Sequence, residues 1–147
     1  MPGKVVLAND HGAVELKNDV IKFLEEKGFA VTDLGVAAEE AADYPDMAEI
    51  ACREYLKGGY EFGIVLCGTG IGISMAANKI DGIRCALPQN KFAAEMAKKH
   101  NNANFLSFGG RIDYADSVIE MIQTFIENDF EGDRHERRVN KIMDLEN

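Results

Sequence analysis

Residues 62–78 read FGIVLCGTGIGISMAAN, and this stretch decides the fold. Phe62–Cys67 is a short apolar run, the signature of a buried strand. Gly68–Gly72 is a tight glycine loop, and Ile73–Asn78 begins a helix. The same strand–loop–helix grammar continues in both directions. Upstream, Lys4–Asn9 is a β-branched strand. Val14–Lys27 carries Leu16, Val20, Phe23 and Leu24 at helical spacing and ends at Gly28. Phe29–Leu34 is a second strand, and a helix follows Asp43-Tyr44-Pro45-Asp46 as far as about Gly58. Downstream come strand Ile83–Leu87, helix Phe92–His100, strand Phe105–Phe108, helix Ala115–Glu127 and a polar helix over about 131–145. Five strands alternating with helices predict an α/β fold, a parallel sheet covered by helices on both faces. Ligands of such sheets bind beyond the carboxyl ends of the strands, so the residues after each strand matter most.

The chain has 147 residues, 46% apolar and 28% charged, which suits one domain spanning 1–147. Lys plus Arg is 16 against 25 for Asp plus Glu, a net charge of −9. That balance argues against nonspecific nucleic-acid binding, while a local basic pocket could still take a small anion. No apolar run approaches the ~20 residues of a membrane span. Met1–Asp10 lacks the apolar core of a signal peptide. The cysteines are Cys52, Cys67 and Cys85, without a Cys-x-x-Cys. An odd, unpaired set suggests neither disulfides nor zinc, and a cytoplasmic setting is expected.

Asp10-His11 follows the first strand, where Asp10 could meet a ligand or merely cap the next helix. Cys67-Gly68-Thr69-Gly70-Ile71-Gly72 could hold an anion or a developing oxyanion on its amides. Cys67 beside that positive helix end is a candidate base or nucleophile; a buried cysteine before a plain turn is the alternative. Cys52 and Cys85 are expected to be packing residues. Three known glycine loops are excluded by spacing. A nucleoside-triphosphate loop needs Lys where Ile73 stands, and a cysteine phosphatase needs Arg at the same place. The dinucleotide fingerprint is G-x-G-x-x-G after a first strand, not G-x-G-x-G after a third. His100-Asn101 offers an acid or base near neutral pH, or a helix end that only complements the dipole. Arg134 and Arg138 share a helix face that could grip a phosphate dianion or pair with surface acids. Arg111 follows Gly109-Gly110 at a strand end. His11, His100 and His135 are far apart in sequence, so no metal site is expected, and proton transfer would need no cofactor.

Taken together, the chain resembles the ribose-5-phosphate isomerase B and galactose-6-phosphate isomerase family. The resemblance rests on Asp10-His11, Glu15-Leu16-Lys17, Asp43-Tyr44-Pro45-Asp46, Cys67–Gly72, Ala76-Ala77-Asn78-Lys79 and Gly82-Ile83-Arg84. It continues through His100-Asn101, Phe130-Glu131-Gly132, Arg134-His135 and Arg138, in the family's order over nearly the whole chain. It implies a Rossmann-like three-layer α/β/α domain. It also implies a homodimer, or a homotetramer of paired dimers, with each site built from two subunits. The His100 segment and Arg111 are expected from the partner chain. The implied activity is aldose–ketose isomerisation of a phosphorylated sugar, with neither metal nor nucleotide. Carried over, Cys67 moves the proton between C1 and C2, and Thr69 assists it. The Gly68, Gly70 and Gly72 amides stabilise the enediolate, and Asp10 handles a hydroxyl proton. His100 opens the furanose ring, and Asn101 helps hold the sugar. His11, Arg111, Arg134 and Arg138 bind phosphate, Tyr44 lines the pocket and Asp43 lies nearby.

Two places depart from the family pattern: Leu87-Pro88-Gln89-Asn90 after strand four, and Asn9 before Asp10. Ribose 5-phosphate is the leading substrate. A tetrose, allose or galactose phosphate is the alternative, as is a phosphosugar-binding subunit without catalysis. A signalling receiver would want clustered acids after strand one and a Lys after strand five, and has neither here.

Overall fold

The computed structural model describes residues 2–146. Its strands are β1 (Lys4–Asn9), β2 (Ala30–Asp33), β3 (Phe62–Cys67), β4 (Cys85–Ala86) and β5 (Phe105–Gly109). All pair in parallel, in the order β2-β1-β3-β5-β4. The helices are α1 (Val14–Glu26), α2 (Tyr44–Leu56), α3 (Ile71–Ala77), α4 (Lys91–Lys99), α5 (Val118–Ile126) and α6 (Arg134–Met143). Short 3-10 turns cover His11–Ala13 and Asp144–Glu146.

Alternation along the strands builds two cores. Val5, Leu7, Ile64, Leu66, Leu106 and Phe108 face α1, α4 and α5. Val6, Ala8, Val65, Cys67 and Phe105 face α2 and α3. This is the three-layer α/β/α arrangement, with each central strand buried on both faces as parallel sheets require. Inside β3 the Phe105 ring lies directly over Gly63. A Cβ at Gly63 would stand 2.3 Å from Phe105 Cζ. Gly63→Ala should therefore cost about 1–3 kcal/mol through overpacking. Thermal unfolding should show a midpoint several degrees lower, and an unchanged midpoint would refute the close fit.

Element ends differ from expectation for local reasons. The fourth strand shrinks to Cys85–Ala86 because it pairs only with β5 and is followed by Pro88, which has no N–H. Helix α3 starts at Ile71, two residues early, because Gly70 at φ 79° already turns the chain into it. Helix α5 starts only after Ser117, whose capping box with Glu120 closes its first turn. Helix α6 starts at Arg134, since Gly132 and Asp133 both hold positive φ.

Candidate active site

The strand order places β1, β3 and β5 side by side. Whatever follows these three central strands must gather at one edge of the sheet. Asp10 follows β1, Cys67 ends β3 and Arg111 follows β5.

The three loops interlock by backbone contact. Asp10 N–H donates to Leu66 O at 3.1 Å, Gly110 N–H to Cys67 O at 2.8 Å and Arg111 N–H to Gly68 O at 2.9 Å. A Cβ at Gly12 would lie 2.9 Å from Gly68 N, and one at Gly109 would lie 2.5 Å from Thr69 C. No larger residue fits this seam.

Cys67 is 4% exposed, and its Sγ accepts the Gly70 N–H at 3.1 Å. That donor holds the sulfur in one orientation and suits an anionic sulfur best. The loop behind it is braced from β5, because buried Ser107 donates its Oγ–H to Gly70 O at 2.5 Å. Thr69 is exposed, and its Oγ1 accepts the Ile71 N–H at 3.2 Å. Tyr44, at the start of α2, lies against Gly72. A Cβ there would stand 2.6 Å from the ring. The Tyr44 ring is thus set against the glycine loop.

Asp10 is 7% exposed and does cap the following turn, its Oδ1 accepting Gly12 N–H at 2.8 Å. The capping reading of this residue therefore holds, at the carboxyl edge of the sheet. Asn9, the less usual residue before it, is fully buried. Its amide donates to Val36 O and accepts Val36 N–H, both at 3.2 Å, tying β1 to the loop after β2. His11 Nδ1 accepts Ala42 N–H at 3.3 Å, so the neutral ring carries its proton on Nε2.

His11 and Arg111 line one small pocket of about 220 Å³, together with Gly12, Val14, Glu15 and Gly110. This corrects one expectation. Arg111 was assigned to a partner subunit, yet its Nη1 lies 3.3 Å from where a Gly68 Cβ would be in the same chain. Register explains it. Gly109 pairs with Cys67, so the residues just after β5 must stand beside those just after β3.

The other half of the constellation lies at the opposite edge. His100 caps the C-terminus of α4, just before β5 begins. Phe105 pairs with Gly63 and Gly109 with Cys67, so the roughly 13 Å span of β5 runs from the edge where His100 lies to the Cys67 edge. The His100–Asn102 turn is held by Arg84. Its Nη2 donates to Asn102 O at 2.6 Å and its Nε to Asn101 O at 3.3 Å. Sequence reasoning gave Arg84 a place in the pattern but no role. Glu131 N–H donates to Lys99 O at 3.0 Å, which seats the start of α6 beside His100. Arg134 and Arg138 are exposed there, while His135 is buried with its ring stacked on His100.

That stack was missed, because the histidines are 35 positions apart. Glu131 joins them, its Oε1 3.7 Å from His100 Nε2 and 3.5 Å from His135 Nε2.

The departing segment is accounted for locally. Pro88 is buried, Asn90 caps α4 by accepting Ala93 N–H at 2.8 Å, and Leu87 borders Gly70. A larger cavity of about 750 Å³ runs along β4 beneath the last helix, lined by Arg84, Cys85, Asn101, Ile142 and Leu145. Of the candidate residues it contains only Asn101, so volume does not locate the chemistry. Cys52 and Cys85 match their packing role: burial pushes the Cys52 thiol up to about 12 and the Cys85 thiol higher still. No helix is long and apolar enough to cross a membrane among the described residues.

With this doubly wound sheet and the loops gathered at its carboxyl edge, the chain is by its relatives a sugar-phosphate isomerase. The chain belongs to the Ribose/Galactose Isomerase family, which it matches over residues 5–142. It is 40% identical to ribose-5-phosphate isomerase B of Clostridium thermocellum, with a TM-score of 0.93 and 97% of each chain covered. The corresponding figures for a ribose 5-phosphate isomerase of Thermotoga maritima are 44% and 0.91, covering 97% of this chain and 98% of that one. Ribose-5-phosphate isomerase B of Escherichia coli is 34% identical over 143 residues, 97% of this chain and 96% of that protein.

Proposed function

We propose that this protein interconverts ribose 5-phosphate and ribulose 5-phosphate through an enediolate, with Cys67 as the base. The observation that carries the reading is the buried Cys67 sulfur held by the Gly70 N–H at the start of the glycine loop. A proton α to a carbonyl is weakly acidic. Removing it needs a base and donors for the oxyanion that forms, and the 67–72 loop supplies both. The thiolate takes the proton from C2 of the aldose and returns it to C1. Asp10 uses one oxygen for its cap and the other to carry the hydroxyl proton between O1 and O2. Thr69 assists at the loop, and the pocket of His11 and Arg111 takes the phosphate. Holding the far end of the sugar there aligns C1 and C2 with the sulfur.

Ring opening by His100 completes the cycle, with Asn101 holding the sugar and Arg134 and Arg138 sharing the phosphate. These residues cannot reach their own Cys67 across the sheet, so we infer a homodimer in which each site takes them from the partner. The apolar side chains at the Cys67 edge support this. Ile71, Met75, Phe92 and Ile112 are 46, 64, 70 and 37% exposed around the loop cluster, a rim that a second copy would cover. Three free thiols fit a cytoplasmic setting.

Proton NMR in heavy water tests the assignment, using four-, five- and six-carbon aldose phosphates. Ribose 5-phosphate should give the ketose with deuterium entering at C1. Preference for another chain length would overturn the substrate and keep the mechanism. Binding without turnover or exchange on any sugar would favour a phosphosugar-binding subunit.

A further inference from the structure

His135 is a buried polar ring whose place stability does not explain. It is 5% exposed, and its Nε2 is the one buried side-chain nitrogen or oxygen without a hydrogen-bond partner among the described residues. Such an atom costs stability, so packing alone would favour an apolar ring there. What the ring does contact is His100. The two imidazoles are parallel within 11°, with centroids 4.0 Å apart. Glu131 Oε1 closes the group, 3.5 Å from His135 Nε2 and 3.7 Å from His100 Nε2. Both distances are too long for a good hydrogen bond and short enough for charge to act.

We infer that His135 and Glu131 are positioning residues for ring opening: the His135 face fixes the plane of the His100 imidazole, and the Glu131 carboxylate steadies its Nε2 edge. The inference rests on the role proposed for His100, which is demanding on geometry. The imidazole takes the proton from O1, the C1–O4 bond breaks as C1=O1 forms, and O4 receives the proton back. One ring must therefore face both oxygens and pass through its charged form. His100 is half-buried at the end of α4, and rotation of its side chain would carry the ring off the sugar. A second ring stacked on it removes that freedom. Burial, then the neighbouring His100 and Arg134, holds His135 below the usual histidine range, with Arg138 adding to the effect and Glu131 opposing it. A neutral His135 leaves the transferred proton on His100. Arg134 and Arg138 disfavour an imidazolium in this group, and the Glu131 carboxylate offsets them.

The test separates ring opening from proton transfer. Ribose 5-phosphate is a furanose and must be opened. Ribulose 5-phosphate cannot close a five-membered ring, because its O5 carries the phosphate, so deuterium exchange at its C1 needs no ring opening. His135→Ala and Glu131→Gln should each lower kcat on ribose 5-phosphate about 10-fold, with KM and the exchange rate both within about 2-fold of wild type. His135→Phe keeps a flat face and loses the unpartnered nitrogen, so it should recover most of what alanine loses. Full turnover on ribose 5-phosphate in either folded variant would overturn the pair. So would an exchange rate that falls as far as turnover, the mark of a structural role alone. Glu131 is exposed, and its backbone rather than its side chain bonds Lys99 O, so Glu131→Gln carries the test even if His135→Ala fails to fold. His100→Asn, run alongside, should lose turnover on the furanose and keep the exchange. If it turns over normally, the ring-opening role of His100 falls and the pair with it. If it fails while the other variants do not, only the positioning falls.

Discussion

Replacing Cys67 with alanine should lower isomerase turnover by at least ~10²-fold, the usual contribution of a positioned general base. The loss should be in kcat. On the proposed reading His11 and Arg111 take the phosphate in a separate pocket, so binding of the sugar should change little. The variant should still fold, because Cys67 sits at the end of β3 and alanine there removes one sulfur from a core lined by Ala8, Ile73 and Ala77. Cys67→Ser tests the chemistry more narrowly. It keeps the size and leaves an oxygen to accept Gly70 N–H, yet a hydroxyl is a far poorer source of an anion at neutral pH than a thiol. Both variants should also lose deuterium exchange from solvent into the sugar. Near-normal turnover in either folded variant would remove Cys67 from the role of base.

The upper half of this site was legible in the sequence because it is built from residues adjacent to strand ends. Apolar runs mark the strands, parallel pairing puts their carboxyl ends together, and Asp10, Cys67 and Arg111 follow from that. Core patterning was legible for the same reason: the alternation in β1 and β3 sorts Val5 and Leu7 from Val6 and Ala8. What was not legible depends on strand order. Nothing local says that β5 inserts between β3 and β4, and that insertion brings Arg111 to its own chain's Cys67 and lets Ser107 brace Gly70. The short β4 was overread because Ile83–Leu87 is apolar throughout, while its pairing is limited by an edge position and Pro88. The stack of His100 on His135 joins the end of α4 to the start of α6, a contact without any sequence period. Arg84 was invisible as a positioning residue because its partners are backbone carbonyls, which leave no trace in side-chain identity.

Mixing two inactive variants should restore activity, and this is the sharper test of how the site is assembled. In one chain, His100 precedes β5 while Cys67 stands at the far end of the roughly 13 Å strand span from Phe105 to Gly109, whereas ring opening and proton transfer act on neighbouring atoms of one sugar. If each site takes Cys67 from one chain and His100 from the other, Cys67→Ala and His100→Asn homodimers are each inactive on the cyclic substrate. A heterodimer of the two has one site carrying both lesions and one carrying neither. Random reassortment makes about half the dimers mixed, and half their sites intact. Turnover per chain should therefore recover to about a quarter of wild type, from a baseline ~10²-fold down. Recovery should need subunit exchange, appearing after joint refolding and not on simple mixing of stable dimers. If both residues act from one chain, every site keeps one lesion and no activity returns. Activity absent from refolded mixtures, with heterodimers demonstrated by mass, would overturn the shared site and require another route for His100 to the sugar.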